Sequence, residues 1–328
     1  MNTRRRPVLP RAATAATAGL VLAALGALSA CSAGPAGSAD SAGGGTGRYD
    51  VVASFYPLAF LAERIGGGHV HVTSLTQPGQ EPHDLEISAR QTARLQDADA
   101  ALYLKGLQPS VDEAIAQSDV KTKVDAASLT TLETHGNEVG GHAAAHDTRP
   151  GEESGGRDPH VWMDPVRYAQ LAAGVGRAFE QGDPAHAADY RKNTAALVKQ
   201  LDALDARFKQ GLAHTRTKVF ITTHAAFGYL AERYGLTEEA VNGLDPESEP
   251  SAARVKDLER MARADGVTTV FYETLVSDKT AKTIARDAGL KTDVLDPLEG
   301  ITKKSRGRDY LAVQEANLKA LQHALGAE

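Results

Sequence analysis

The stretch whose residue types most directly offer chemistry is Asp158-Pro159-His160-Val161-Trp162-Met163-Asp164-Pro165, which also holds the chain's single tryptophan. Each proline fixes its own φ and biases the residue before it towards extended backbone, so His160 is displayed on a stiffened turn between two aspartates. A histidine held in that way suits metal binding. It is equally compatible with a satisfied core histidine beside a packing tryptophan. Three further residues, His83, His224 and Asp296, fall at the ends of expected strands, as does Glu273. Imidazoles and carboxylates are the donors that borderline divalent metals take.

The elements that must position these residues are legible as alternating periodicities. Tyr49 to Phe55 reads as a buried strand, Leu58 to Ile65 as a helix stopped by three glycines, and Val70 to Leu75 as a second strand. The turn-rich run Gln77-Pro78-Gly79-Gln80-Glu81-Pro82-His83-Asp84 leaves that strand, and Ser88 is placed to cap the next helix. Ala98 to Leu104, a helix around Val111 to Ala116 and a strand near Lys123 to Ala127 complete the first half. The second half repeats the scheme, with strands at Lys218 to Thr222, Thr237 to Asn242, Thr268 to Tyr272 and Thr292 to Leu295, and a closing helix from Arg308. Between the halves, Tyr190, Thr194, Leu197, Leu201, Leu204, Phe208 and Leu212 recur at steps of three and four, the signature of one long amphipathic helix. The expected architecture is α/β: two β/α sandwich domains with mostly parallel sheets joined by one long rigid helix. In such sheets ligands bind beyond the carboxyl ends of the strands, where His83, His224, Glu273 and Asp296 lie.

Composition bounds the function. With 328 residues, 42% hydrophobic and only 5% aromatic, the chain supports about two domains with an Ala-, Leu- and Val-rich core. A formal net charge of −6, with no basic face beyond the N-terminus, argues against a nucleic-acid partner. Arg4, Arg5, Arg6 and Arg11 precede an uncharged Ala- and Leu-rich run, which reads as an export signal over 1–30. It ends in Leu28-Ser29-Ala30-Cys31, similar to the lipobox of bacterial lipoproteins, so Cys31, the only cysteine, is expected to carry a lipid anchor. Residues 31–48, mostly Gly, Ala and Ser, form a tether that cannot bury enough surface to fold. The expected order is then a lobe over 49–182, a linking helix over 183–214 and a second lobe over 215–328. Within the first lobe, 133–157 lacks apolar periodicity and reads as a disordered loop whose His135, His142 and His146, among acids, form a weak metal collector or an ordinary solvated insertion.

The segments Glu81-Pro82-His83-Asp84, Asp158 to Pro165, Thr223-His224-Ala225-Ala226-Phe227-Gly228-Tyr229 and Val294-Leu295-Asp296-Pro297-Leu298 resemble, in order, the motif blocks of the zinc and manganese solute-binding proteins of bacterial ABC transporters, the ZnuA-like family. The resemblance runs from Tyr49 to the end. It implies two β/α domains joined by a long helix, with a metal in the cleft between them. By motif it implies His83, His160 and His224 as imidazole ligands, Asp296 as the carboxylate ligand and Glu273 just behind them. It further implies an extracytoplasmic, lipid-anchored monomer that hands its metal to an ABC permease.

Three imidazoles and one carboxylate suit Zn(II), whereas Mn(II) prefers more oxygen. The resemblance departs at Pro82, where some zinc relatives carry a glutamate, and the 133–157 stretch is sparse in histidine for the zinc type. Other functions fit the same residues: a manganese-binding homologue, a surface adhesin with a structural metal, or a zinc hydrolase using Glu273 as base. The hydrolase is opposed by a fourth protein ligand and by the lack of a nucleophile motif. On this reading His135→Ala, or removal of 133–157, leaves the tight site intact.

Overall fold

Each half of the chain folds because short β-branched runs alternate with amphipathic helices, a pattern that buries both faces of a parallel sheet. A computed structural model describes residues 47–136, 138–139, 157–248 and 250–327. The signal and all but the end of the tether, with Cys31, lie outside the described residues, as do His142 and His146. In the first half, β1 (Tyr49–Ala53), β2 (Val70–Ser74), β3 (Ala100–Tyr103) and β4 (Thr122–Asp125) form a parallel sheet in the order β2-β1-β3-β4. Helices α1 (Tyr56–Gly66), α2 (Ala89–Asp97) and α3 (Pro109–Gln117) make the crossovers. The expected cap of α2 is present as a capping box, with Ser88 accepting from the Gln91 amide and the Gln91 side chain accepting from the Ser88 amide.

In the second half, β6 (Val219–Thr222), β7 (Thr237–Ala240), β8 (Thr269–Tyr272) and β9 (Lys291–Val294) pair in parallel. Helices α6 (Gly228–Tyr234), α7 (Ala252–Ala264) and α8 (Lys279–Ala288) connect them, and α9 (Tyr310–Leu325) closes the chain. The sheet gains one antiparallel edge strand, β5 (Glu138–Val139), in the order β5-β7-β6-β8-β9. That strand comes from the stretch read as a disordered loop. Its two ends are folded: Thr134 bridges Arg157, and the Asp158 amide donates to the Glu133 carbonyl at 2.9 Å. Backbone pairing needs no apolar periodicity, so the polar sequence concealed it.

The halves are joined by α4 (Pro165–Gly182) and α5 (Ala187–Gly211), the latter 25 residues long, with Pro184–His186 as a tighter 3-10 turn between them. On α5, Tyr190, Leu197, Leu201, Leu204 and Phe208 are buried, as their spacing predicts. They belong to one hydrophobic core that runs from Val51 in β1 to Leu325 at the end of α9. Phe60 of α1 packs on Tyr310 of α9 at 5.6 Å between ring centroids, so the two lobes share their interior.

Candidate metal centre

Four loops meet where the two sheets present their carboxyl ends. His83 stands in the loop after β2, His224 follows β6, and the chain after β9 carries Asp296 and Glu299. His160 comes from the turn between the lobes and caps a 3-10 turn over Val161–Met163. This turn is clamped to the second lobe. Trp162 donates its indole N–H to the Pro297 carbonyl at 2.7 Å, Tyr310 donates to the Trp162 carbonyl at 2.5 Å, and Tyr229 donates to the Asp158 carbonyl at 2.7 Å. Phe55 packs edge-on against Trp162 at 4.9 Å from the first lobe. The tryptophan is thus both a packing anchor and a strut for the ligand loop.

The structure brings His83, His160, His224 and Glu299 together, with one donor atom from each lying within 4.8 Å of the others. Glu299 Oε1 is 3.1 Å from His83 Nε2, 3.3 Å from His160 Nε2 and 3.8 Å from His224 Nε2, while the last two nitrogens are 3.4 Å apart. A tetrahedral zinc with Zn–N bonds of about 2.0–2.1 Å requires ligand-to-ligand edges of about 3.3–3.4 Å. The His83–Glu299, His160–Glu299 and His160–His224 separations are close to that edge, and the His224–Glu299 separation is longer. Glu299 is fully buried, and its Oε2 has no hydrogen-bond partner, an arrangement that is costly unless a cation takes it up.

The carboxylate that the structure sets among the three imidazoles is Glu299, whereas Asp296, expected there from the sequence, stands outside this cluster. Asp296 is buried nearby but committed to the backbone: Oδ1 accepts the Leu298 amide at 2.9 Å and Oδ2 accepts from Thr274. Its own amide and carbonyl are both engaged by Asn317. The resulting turn holds Leu298 at φ 62, the one non-glycine among the described residues with positive φ. A left-handed leucine is costly and persists only where its surroundings enforce it. Here it redirects the chain so that Glu299, rather than Asp296, faces the histidines. Burial, with Glu273 adding to it, raises the Asp296 carboxyl to about 6.

Behind the donors lies a layer of carboxylates. Asp158 Oδ1 accepts both the amide of His160, at 2.8 Å, and its Nδ1–H, at 2.7 Å. Glu273 Oε1 accepts from His224 Nδ1 at 2.6 Å and from Thr223 at 2.8 Å, which sets it behind the His224 ring. Both imidazoles are thereby held through Nδ1–H, with Nε2 turned to the centre. Burial alone would push His160 down, but Asp158 and Glu299 outweigh it and raise His160 to about 10; His224 is also raised, chiefly by Glu273 against its burial. Burial would lift Asp158 too, yet His160 and the hydrogen bonds from His135 and His160 hold it at about 2. Glu299 is likewise held low against its burial by His160 and His83.

Two other residues contact the groups around the centre. Glu81 accepts the His83 amide at 3.0 Å, and burial together with the nearby Glu299 raises its carboxyl well above the usual carboxylate range. His135 is buried at 9% exposure with Nδ1 2.6 Å from Asp158 Oδ2, a place in the fold rather than on a loose collector. Neither Glu81 nor Glu299 was distinguishable in sequence from any acid on a turn. The only signal for Glu299 was its position three residues beyond Asp296 in the same loop.

Residues 51–324 match the family model described as zinc-uptake complex component A, periplasmic, ZnuA. The chain belongs to this family. It is 34% identical over 288 residues to the zinc-binding lipoprotein AdcA of Streptococcus pneumoniae, covering 86% of this chain and 57% of AdcA. The match to the high-affinity zinc uptake system protein ZnuA of Bacillus subtilis is 32% identical and covers 84% of this chain and 87% of that protein. Among solved structures, the Zn(II)-bound ZnuA-like domain of S. pneumoniae AdcA superimposes with a TM-score of 0.70 at 34% identity, over 85% of this chain and 99% of that domain. The chain thus spans little more than half the length of AdcA but nearly the whole of its ZnuA-like domain.

Proposed function

We propose that this protein captures Zn(II) outside the cytoplasm and delivers it to an ABC permease, with His83, His160, His224 and Glu299 as the ligands. The observation that carries the reading is the convergence of three imidazoles and one buried carboxylate, with one donor atom from each lying within 4.8 Å of the others. Membership of a zinc-uptake family supports the transport role. The donor set favours zinc over manganese, which prefers more oxygen.

A hydrolytic role is disfavoured by the same geometry. Glu299 occupies the fourth position that a catalytic zinc leaves for water, and Glu273 is engaged by His224 and Thr223 instead of facing an open site. The protein is accordingly a binding protein, with zinc as cargo. The lipid anchor on Cys31 belongs to this proposal and is supported by the lipoprotein relative. No helix among the described residues is long and apolar enough to cross a membrane.

Elemental analysis of protein purified without added metal, followed by zinc and manganese competition, tests the reading. One tightly held zinc per chain is expected, and His160→Ala should lose it. Preferential retention of manganese, or unchanged zinc affinity in His160→Ala, would overturn it.

A further inference from the structure

Asp158 presents a second oxygen that the metal ligands do not use. Its Oδ1 receives both hydrogen bonds from His160, while Oδ2 receives His135 Nδ1 at 2.6 Å. Asp158 is fully buried, so its carboxylate must satisfy its oxygens from protein donors. Without His135, Oδ2 would lose that donor and the carboxylate would be free to turn, carrying the His160 ring with it. The contact is built in from several sides. The pairing of Thr134 with Arg157, and of the Glu133 carbonyl with the Asp158 amide, sets the two side chains next to each other. Tyr229 packs edge-on against the His135 ring at 4.7 Å and also hydrogen-bonds the Glu133 amide and the Asp158 carbonyl. Gly228 completes the cradle: a Cβ there would lie 2.5 Å from His135 Nδ1 and 3.1 Å from Asp158 Oδ2. The other ring nitrogen of His135 lies 3.8 Å from Glu232 on the surface.

We infer that His135 is a positioning residue for the metal centre: by donating to Asp158 Oδ2 it locks the carboxylate that orients His160, and zinc affinity depends on that donation. The inference rests on the proposed zinc site, and it reverses the expectation that His135 is a weak ligand whose loss leaves the tight site untouched. Partners in the layer behind metal ligands typically contribute about 10- to 100-fold in affinity. His135 stands one carboxylate further out, which places the expected effect near the lower end.

The test compares zinc affinity, by competition with a chromophoric chelator, for the whole chain and for two variants. His135→Phe keeps the ring but removes the donor, and should weaken zinc binding about tenfold. His135→Asn sets an amide N–H close to the place of Nδ1, and should recover most of the loss. Cobalt(II) serves as a second readout: its visible bands report ligand geometry, and they should shift in His135→Phe and return in His135→Asn. If His135→Phe does not fold, His135→Gln, whose amide overshoots the Nδ1 position, takes its place with the same expected loss. Zinc binding within twofold of the parent and an unchanged cobalt spectrum in the donor-less variant would overturn the inference while leaving the zinc site standing. Equal losses in His135→Phe and His135→Asn would overturn it as well, since the donor would then not be the cause. A parent chain that takes up no zinc would overturn both readings.

Discussion

Glu299 and Asp296 are separated by only two residues but have different work to do. Glu299 Oε1 faces three imidazoles, whereas Asp296 holds the turn that puts it there. Glu299→Gln should therefore weaken zinc binding strongly, by at least the tenfold typical of losing a supporting partner. Asp296→Asn should have a smaller effect on affinity and a larger one on stability, because its Oδ1 turn contact with Leu298 is what it chiefly supplies. Chelator competition and urea unfolding on both variants would separate the two roles, and the opposite ranking would return the ligand assignment to Asp296. The charge state of the histidines sets a second expectation. Without metal, His160 sits at about 10 and so holds its proton through the neutral range, while His224 is raised in the same direction by Glu273 against its burial. Zinc takes the neutral imidazole and must expel the His160 proton, so affinity should fall as pH falls throughout the range below about 10, not only below the ordinary imidazole value. In the metal-free protein the sign is opposite: a raised folded value contributes stability that is complete below the unfolded value of about 6.5 and is lost as pH rises through about 10. Calorimetry at pH about 7.5 in buffers of different ionisation enthalpy should report release of at least about one proton per zinc. Uptake with no proton release would contradict the imidazolium state of His160.

Among the elements, α4 and α5 join the lobes, and the close packing of the pair depends on Gly176. A Cβ on Gly176 of α4 would press into the Thr194 side chain of α5, which is β-branched and anchored by its hydroxyl to the Tyr190 carbonyl at 2.7 Å. Alanine would gain about 1 kcal/mol of helix propensity at this position. The crowding of a stiff neighbour, at about 1–3 kcal/mol, should outweigh it. Gly176→Ala is thus expected to lower the urea midpoint, and adding Thr194→Ala should recover much of the loss. A Gly176→Ala protein more stable than the parent would show that the helices part without cost. The same helix pair explains why Thr194, the weakest member of the apolar stripe on α5, belongs where it is: a bulkier side chain would meet α4.

For the whole molecule, the donors come from loops of both sheets and from the turn between the lobes, so bound zinc ties distant parts of the chain together. Zinc at about a thousand times its dissociation constant should stabilise the folded state by about 4 kcal/mol. A chelator should lower the melting temperature accordingly, and a melting curve indifferent to zinc would mean that the metal does not bridge these elements. The proposed lipid anchor makes a separate prediction: Cys31→Ala should move the protein from the membrane to the soluble fraction, and membrane retention of a correctly processed variant would sink the proposal. What the sequence by itself determined was local or periodic. Alternating apolar runs marked both parallel sheets, a three-and-four spacing marked α5, and residues at strand ends marked His83 and His224, because these patterns are written in nearest neighbours along the chain. The tertiary structure decided the rest. Whether Asp296 or Glu299 faces the imidazoles turns on the left-handed backbone at Leu298, held by the neighbouring Asp296 side chain, whose own backbone Asn317 of α9 fixes from outside the local sequence. Likewise, a histidine in a polar stretch gave no sign that it would meet Asp158, since that contact exists only after residues 133–134 pair with 157–158 against Gly228 and Tyr229.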